Sequence, residues 1–199
     1  MNKQLIVGLT GGIGAGKTTI SKIFTALGVP VFNSDEEAKT IVNQDNTVVT
    51  SIKETFGNVY VGGRLDSKKM AELVFNDPEA LNKLNHIVHP KVKKTFAKWI
   101  ERNKNEKILI KEAAILIETN NYKELDKTIL VVAPVSIRQK RVIKRDGVDS
   151  IAFKNRMKSQ LSDTEKEKVA DFIIHNDDEQ LLIPQVLKIH KELIQLLVQ

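Results

Sequence analysis

Apolar residues along the chain fall into two kinds of pattern. Short, nearly continuous runs occur at Leu5 to Leu9, Val29 to Phe32, Lys107 to Ile110, Thr128 to Ala133 and Phe172 to Ile174. Runs of this length, flanked by helical pattern, suit strands buried on both faces. Between them the apolar positions return at helical spacing. In Thr18 to Leu27, Ile20, Ile23, Phe24 and Leu27 stand at i, i+3, i+4 and i+7, and Gly28 supplies a stop. Strands alternating with helices predict an α/β fold with a doubly wound parallel sheet of five strands.

The stretch 36–105 breaks that alternation. It predicts helices only: one after Asp35, one ending near Phe56 and Gly57, one with Met70, Leu73 and Val74, one opened by Asp77-Pro78, and one carrying Phe96, Trp99 and Ile100. Asp77 suits an N-cap with Pro78 at the first helical position. Residues 36–105 therefore read as a helical insertion between the second and third strands. Residues 1–35, 106–137 and 165–199 are left as the core.

Charge and composition narrow the partners. The 199 residues carry a net charge of +6, with 28% charged and 41% hydrophobic positions, a soluble globular profile that suggests an anionic partner. Cysteine is absent, which excludes disulfides, thiolate-bound metals and thiol catalysis and fits a reducing compartment such as the cytoplasm. Apolar runs fall short of the roughly 20 residues that span a bilayer. Lys3 followed by Leu5-Ile6-Val7 superficially resembles a leader, but glycine, threonine and Lys17 interrupt it, and the segment reads as the first strand.

Gly11-Gly12-Ile13-Gly14-Ala15-Gly16-Lys17-Thr18 satisfies G-x-x-x-x-G-K-[ST] between a predicted strand and a predicted helix. Glycines let successive backbone N–H groups converge on phosphate oxygens, and the helix start adds its dipole. Gly14, Ala15, Gly16, Lys17, Thr18 and Thr19 are expected to hold a nucleoside triphosphate. Lys17 would act on the β and γ phosphates and the Thr18 hydroxyl on Mg²⁺. The bland alternative is a glycine-rich turn. A GTPase would carry N-K-x-D, and the nearest string, Asn82-Lys83-Leu84-Asn85, lacks the aspartate and lies in the insertion.

Ligands of doubly wound sheets bind beyond the carboxyl ends of the strands. Asp35 and Glu112 stand there, after the second and third runs. A carboxylate beside the phosphate loop can orient an acceptor hydroxyl and take its proton, the role expected of Asp35. Glu112 is expected in the outer metal shell or fixing a bound water, among the residues on the acceptor side. Ser34-Asp35-Glu36-Glu37 also matches a capping box, with Ser34 as cap and Glu37 three positions on.

From Arg138 to Arg145, five of eight residues are Lys or Arg, with Arg138, Arg141 and Arg145 along one helical face. A basic helix closing over the nucleotide would neutralise charge on the transferring group and exclude water, so 138–164 reads as a lid. An ordinary solvated helix face is the alternative.

Together these features resemble the dephospho-coenzyme A kinase family, over essentially the whole chain. Leu9 to Thr19 is similar to the family's L-T-G-G-I-G-S-G-K-S-T, and Asn33-Ser34-Asp35 sits where the family has D-A-D. Gly63-Arg64-Leu65-Asp66 and His89-Pro90 match its acceptor-side G-x-L-D-like turn and L-H-P. Glu112 to Glu118 resembles D-V-P-L-L-F-E, Arg141 with Arg145-Asp146 resembles R-x-x-x-R-D, and Asn176 after Ala170-Asp171 resembles the A-D-x-x-I-x-N element near the adenine.

The resemblance implies ATP-dependent phosphorylation of the ribose 3′-hydroxyl of dephospho-CoA, with Mg²⁺. It gives Asp35 the catalytic aspartate's place, Arg141 and Arg145 to the lid, and Asn176 to the nucleotide. His89 is placed near the acceptor without a proton-transfer role, and the insertion becomes the CoA-binding part. Departures are Asn33 for the first Asp of D-A-D, Glu112 for Asp, Ala114 for Pro and Val88 for Leu. A monomer is expected, with no nucleic-acid or membrane partner. A nucleic-acid-binding protein using the basic helix on a phosphate backbone is the competing class, and it lacks an evident aromatic stacking set.

Overall fold

The structure, a computed structural model, describes residues 4–75 and 77–198. Lys3 of the leader-like stretch lies outside the described residues, as do residues 1, 2 and 199 of the expected core and residue 76 of the insertion.

The chain forms two compact units: Met1–Asn33 with Asn103–Gln199, and Ser34–Arg102. In the first, β1 (Leu5–Gly11), α1 (Lys17–Ala26) and β2 (Val31–Asn33) precede β5 (Ile108–Glu112), β6 (Lys127–Val132), α6 (Val135–Asp146), α7 (Ser150–Lys158), α8 (Asp163–Glu167), β7 (Phe172–His175) and α9 (Leu182–Leu196). Five parallel strands lie in the order β2-β5-β1-β6-β7, so β1, which carries the phosphate loop at its end, is central. Val7, Leu9, Ile110, Ile129, Val131 and Ile174 pack from the sheet against Ile20 and Phe24 of α1 and Val186, Ile189 and Leu193 of α9.

Strands run past their apolar cores. β1 reaches Gly11 because the ladder with β6 continues to the Gly11–Val131 pair, and β5 reaches Glu112, whose neighbours are Leu9 on one side and Asn33 on the other. Hydrogen bonding sets a strand's end, while hydrophobicity marks only its buried middle.

The second unit holds α2 (Ser34–Gln44), α3 (Asn46–Phe56), the two-residue strands β3 (Tyr60–Val61) and β4 (Arg64–Leu65), α4 (Ser67–Phe75) and α5 (Pro78–Arg102). Ile41, Val48, Ile52, Val59, Met70 and Val88 form its apolar core.

Three expectations are corrected here. The insertion is not wholly helical: β3 and β4 pair antiparallel across Gly62 and Gly63, both at positive φ, which makes a tight hairpin. Two expected helices are one. α5 opens at the Asp77 cap, whose carboxylate accepts from the Glu79 and Ala80 amides, and continues through Pro90. Proline removes one backbone donor, yet Leu84, Ile87 and Val88 before it and Val92 after it pack on the same cluster, which holds the helix together. Finally, the capping box does not form: Ser34 is already helical, and its Oγ is buried without a hydrogen-bond partner.

Among the described residues, no helix is long and apolar enough to cross a membrane.

Candidate active site

The chain leaves β1 at Gly11 and turns through residues 12–16 into α1. The Ala15 N–H bonds the Gly12 carbonyl at 3.0 Å, and Gly16 caps the helix in the left-handed region (φ 98°) without any side chain to satisfy the first turn. Uncapped N–H groups at a helix start are what an anion exploits. Lys17 Nζ donates to the Gly11 carbonyl at 2.9 Å, so the ammonium is folded over the loop, and Thr18 and Thr19 are exposed in the first turn.

Two of the glycines are also demanded by their protein neighbours. A Cβ on Gly12 would collide with Arg138 Nη1, and one on Gly16 with the Asn176 amide. The loop is therefore pressed against α6 and the end of β7. Asn176 is buried there, donating from Nδ2 to the Ala15 carbonyl at 2.7 Å. Arg141 Nη2 donates to the Asn176 backbone and side-chain oxygens at 3.1 and 3.0 Å and to Asp178. Arg141 Nη1 is buried without a hydrogen-bond partner, on the Gly16 side. A buried donor in that condition calls for an acceptor.

The three arginines of α6 differ sharply. Arg138 is 5% exposed and meets Asp163 at 3.3 Å, whereas Arg145 is exposed and grips Asp146 through two bonds. The Arg145 hydrogen bond, helped by one from Arg156, holds Asp146 down to about 2 against its partial burial, and the same bond pushes Arg145 up. The helix is thus not a uniformly solvated basic face.

Glu112 is 4% exposed, its Oε2 accepting from Ser21 Oγ at 2.7 Å and Asn33 Nδ2 at 3.3 Å. The asparagine at position 33 places a donor, rather than a second carboxylate, beside it. Asp35 lies exposed in the first turn of α2, directly after β2 in the chain, and His89 is exposed in the middle of α5 rather than at a helix start. Both belong to the Ser34–Arg102 unit. Residues 14–19, Glu112, Arg141, Arg145 and Asn176 belong to the other.

Sequence reasoning missed the supports behind the loop. Gln160 Oε1 accepts from the Ile13 N–H at 2.9 Å. Lys166 is completely buried and meets Glu118 at 2.8 Å, while Glu118 also accepts from the Leu161 N–H. A lone glutamine and a lysine in a charged stretch carry no local signal for such roles. Among the described residues, no group of three or more His, Asp or Glu side chains is arranged to hold a metal.

A family model described as dephospho-CoA kinase matches residues 5–181. The chain is similar to dephospho-CoA kinases of Bacteroides fragilis, 38% identical over 92% of this chain and 90% of that one, and of Aquifex aeolicus, 36% identical over 94% and 96%. Among solved structures, a dephospho-CoA kinase from Campylobacter jejuni superposes with a TM-score of 0.63 at 27% identity, covering 96% of this chain and 97% of that one. A shikimate kinase from Acinetobacter baumannii, at 16% identity and a TM-score of 0.52 over 98% and 95%, shares the fold. A loop crowded by its own arginine and asparagine, and a match running from β1 past β7, give one assignment: the chain belongs to the dephospho-CoA kinase family.

Proposed function

We propose a division of labour for the reaction that family membership carries, phosphorylation of dephospho-CoA by a nucleotide donor to give coenzyme A. ATP is the donor. Its phosphates lie on the amides of residues 14–18 with Lys17 across the β and γ groups. The Asp35 carboxylate orients the ribose 3′-hydroxyl and takes its proton as the oxygen attacks the γ-phosphorus and the bond to the β-phosphate oxygen breaks, leaving ADP. Arg141 offers its unpartnered Nη1 to the transferring group, and Arg145 closes over it from the 138–164 lid. Asn176 braces the loop from the nucleotide side, while His89, Glu112 and the 36–105 insertion serve the acceptor.

The Thr18 hydroxyl, together with the phosphates, would hold Mg²⁺, which would supply charge neutralisation at the γ group. We place the enzyme in the cytoplasm, a reading that fits the absence of cysteine, and take it to be a monomer.

The observation that carries this reading is the buried, unpartnered donor of Arg141 beside a loop that ends in an uncapped helix. Purified protein given ATP, Mg²⁺ and dephospho-CoA should form coenzyme A and ADP in equal amounts. Asp35→Asn should lower kcat by about 10²–10⁴ while ATP binding is kept. A near-normal rate in that variant returns Asp35 to a plain helix-start residue. Phosphorylation of shikimate or nucleoside monophosphates, with none of dephospho-CoA, overturns the acceptor.

A further inference from the structure

The peptide joining Gly12 to Ile13 is held from two sides by two residues of the 138–164 segment to which the reaction scheme above gives no role of their own. On one side the Ile13 N–H donates to Gln160 Oε1 at 2.9 Å. On the other, Arg138 occupies the space a Gly12 side chain would fill and lies under Gly14, with its backbone oxygen 2.7 Å from where a Gly14 Cβ would stand. These two supports are themselves connected through the stretch 160–166. Asp163 takes Arg138 Nη1 at 3.3 Å, and Gln160 Nε2 reaches the Ala114 carbonyl at 3.5 Å. Leu161 N–H and the buried Lys166 ammonium both meet Glu118 Oε1, at 3.2 and 2.8 Å.

An ion pair between a buried lysine and a largely buried glutamate is a poor source of stability, because desolvation offsets much of the attraction. Its effect here is geometric: it fixes 160–166 against the segment that follows β5. The 160–166 stretch in turn presents one side-chain acceptor to one phosphate-loop amide. By taking the Ile13 N–H, Gln160 fixes the plane of the Gly12–Ile13 peptide and so the direction in which the next amides of the loop point. An anion site built of backbone amides gains affinity from that preorganisation.

We propose that Gln160 is a positioning residue for the triphosphate, acting through the Ile13 amide and seated by the Lys166–Glu118 pair. The proposal rests on the kinase reading above and adds to it a specific support for the donor site. Because Gln160 shapes the loop before and during transfer alike, its loss falls on ATP affinity and KM for ATP rather than on kcat.

The test compares Gln160→Met, which keeps size and removes both hydrogen bonds, with Gln160→Glu, which keeps an acceptor for Ile13. Equilibrium titration with ATP and Mg²⁺, steady-state kinetics and hydrogen exchange at the Ile13 amide are read on the full-length protein. Gln160→Met should weaken ATP binding by about 5- to 150-fold, the range for leaving one amide donor unsatisfied. It should raise KM for ATP with kcat near wild type and lose Ile13 protection. Gln160→Glu should keep Ile13 protected. Lys166→Met, remote from the loop, should reproduce the Ile13 and KM changes and add little on top of Gln160→Met.

Unchanged ATP affinity and Ile13 protection in Gln160→Met overturn the proposal, as does a fall in kcat with KM for ATP unmoved. A wild-type protein that binds ATP but does not phosphorylate dephospho-CoA overturns the kinase reading instead, and the titration and exchange arms still decide the role of Gln160.

Discussion

The two units bury different things. Among the described residues, every polar or charged residue that is buried as a whole, Glu112, Arg138, Lys166 and Asn176 included, lies in the unit that holds the phosphate loop. The Ser34–Arg102 unit buries an aliphatic cluster with one methionine, and of its ion pairs Lys39–Glu36 and Lys83–Glu79 are exposed and Lys91–Asp45 is half-buried. Buried polar groups cost free energy unless fully paired, and they confine each neighbour to one arrangement. Around a loop that must aim several amides at one anion, that confinement is useful. A helical unit without such a loop has no need of it and stays close to what hydrophobic patterning alone provides.

The largest effect is expected from breaking a polar pair in the first unit. Glu118→Leu leaves the Lys166 ammonium buried without its partner and should cost about 3–5 kcal/mol in urea unfolding. Glu118→Leu combined with Lys166→Met should regain most of that stability while ATP affinity stays low. Recovery of both together would mean that the pair serves only to hold the unit folded. An equally large loss in the double variant would mean that the site cannot repack without charge, which would blunt the contrast between the units.

That contrast also explains what could be read from the chain. Five strands and the first helix were legible because their apolar runs and spacing state their burial directly, and the loop was legible because its eight positions are contiguous. The unbroken α5 was not, since a proline interrupts the local pattern and only Leu84, Ile87, Val88 and Val92 packing on one cluster overrides it. The capping box at Ser34 fits the sequence pattern, but the helix begins one residue too early for it. Gln160, Lys166 and Glu118 were not legible as loop supports at all. Their meaning lies in contacts 43 to 147 residues apart in sequence, which no window along the chain contains.

A smaller effect separates two glycines at positive φ. Gly57 ends α3 at φ 74° with open space where a side chain would go, and Gly16 sits at φ 98° against Asn176. Gly57 has ψ −144°, outside the left-handed helical well and in a region that side chains rarely enter, so Gly57→Ala should cost about 1–3 kcal/mol and leave ATP binding alone. Gly16→Ala carries the strain of a left-handed L-residue plus a collision with Asn176, so it should lower Tm and abolish ATP binding. Thermal unfolding with and without ATP reads both. If Gly57→Ala also loses ATP binding, the contrast between the two glycines fails.

The smallest effect is in acid, and it compares one carboxylate from each unit. Asp45 caps α3, and hydrogen bonds from the Thr47 hydroxyl, the Val48 amide and Lys91 hold it at about 2, below its ordinary 3.8. Asp146 is held at about 2 chiefly by Arg145, then by Arg156. A carboxylate depressed in the folded state contributes stability that is fully present above its unfolded value and is lost as pH falls through the folded one. For both groups that window runs from about 4 down to about 2. Unfolding followed across it should show a shallower acid limb in Asp45→Asn and in Asp146→Asn than in the wild type. Asp45→Asn keeps a capping side chain, so its stability at neutral pH should fall only slightly. Added salt should shrink the Asp146 contribution more, because charged guanidinium groups lead its list of partners, while two neutral donors lead that of Asp45. An acid limb identical in the wild type and both variants would mean that neither carboxylate is held by its partners in solution.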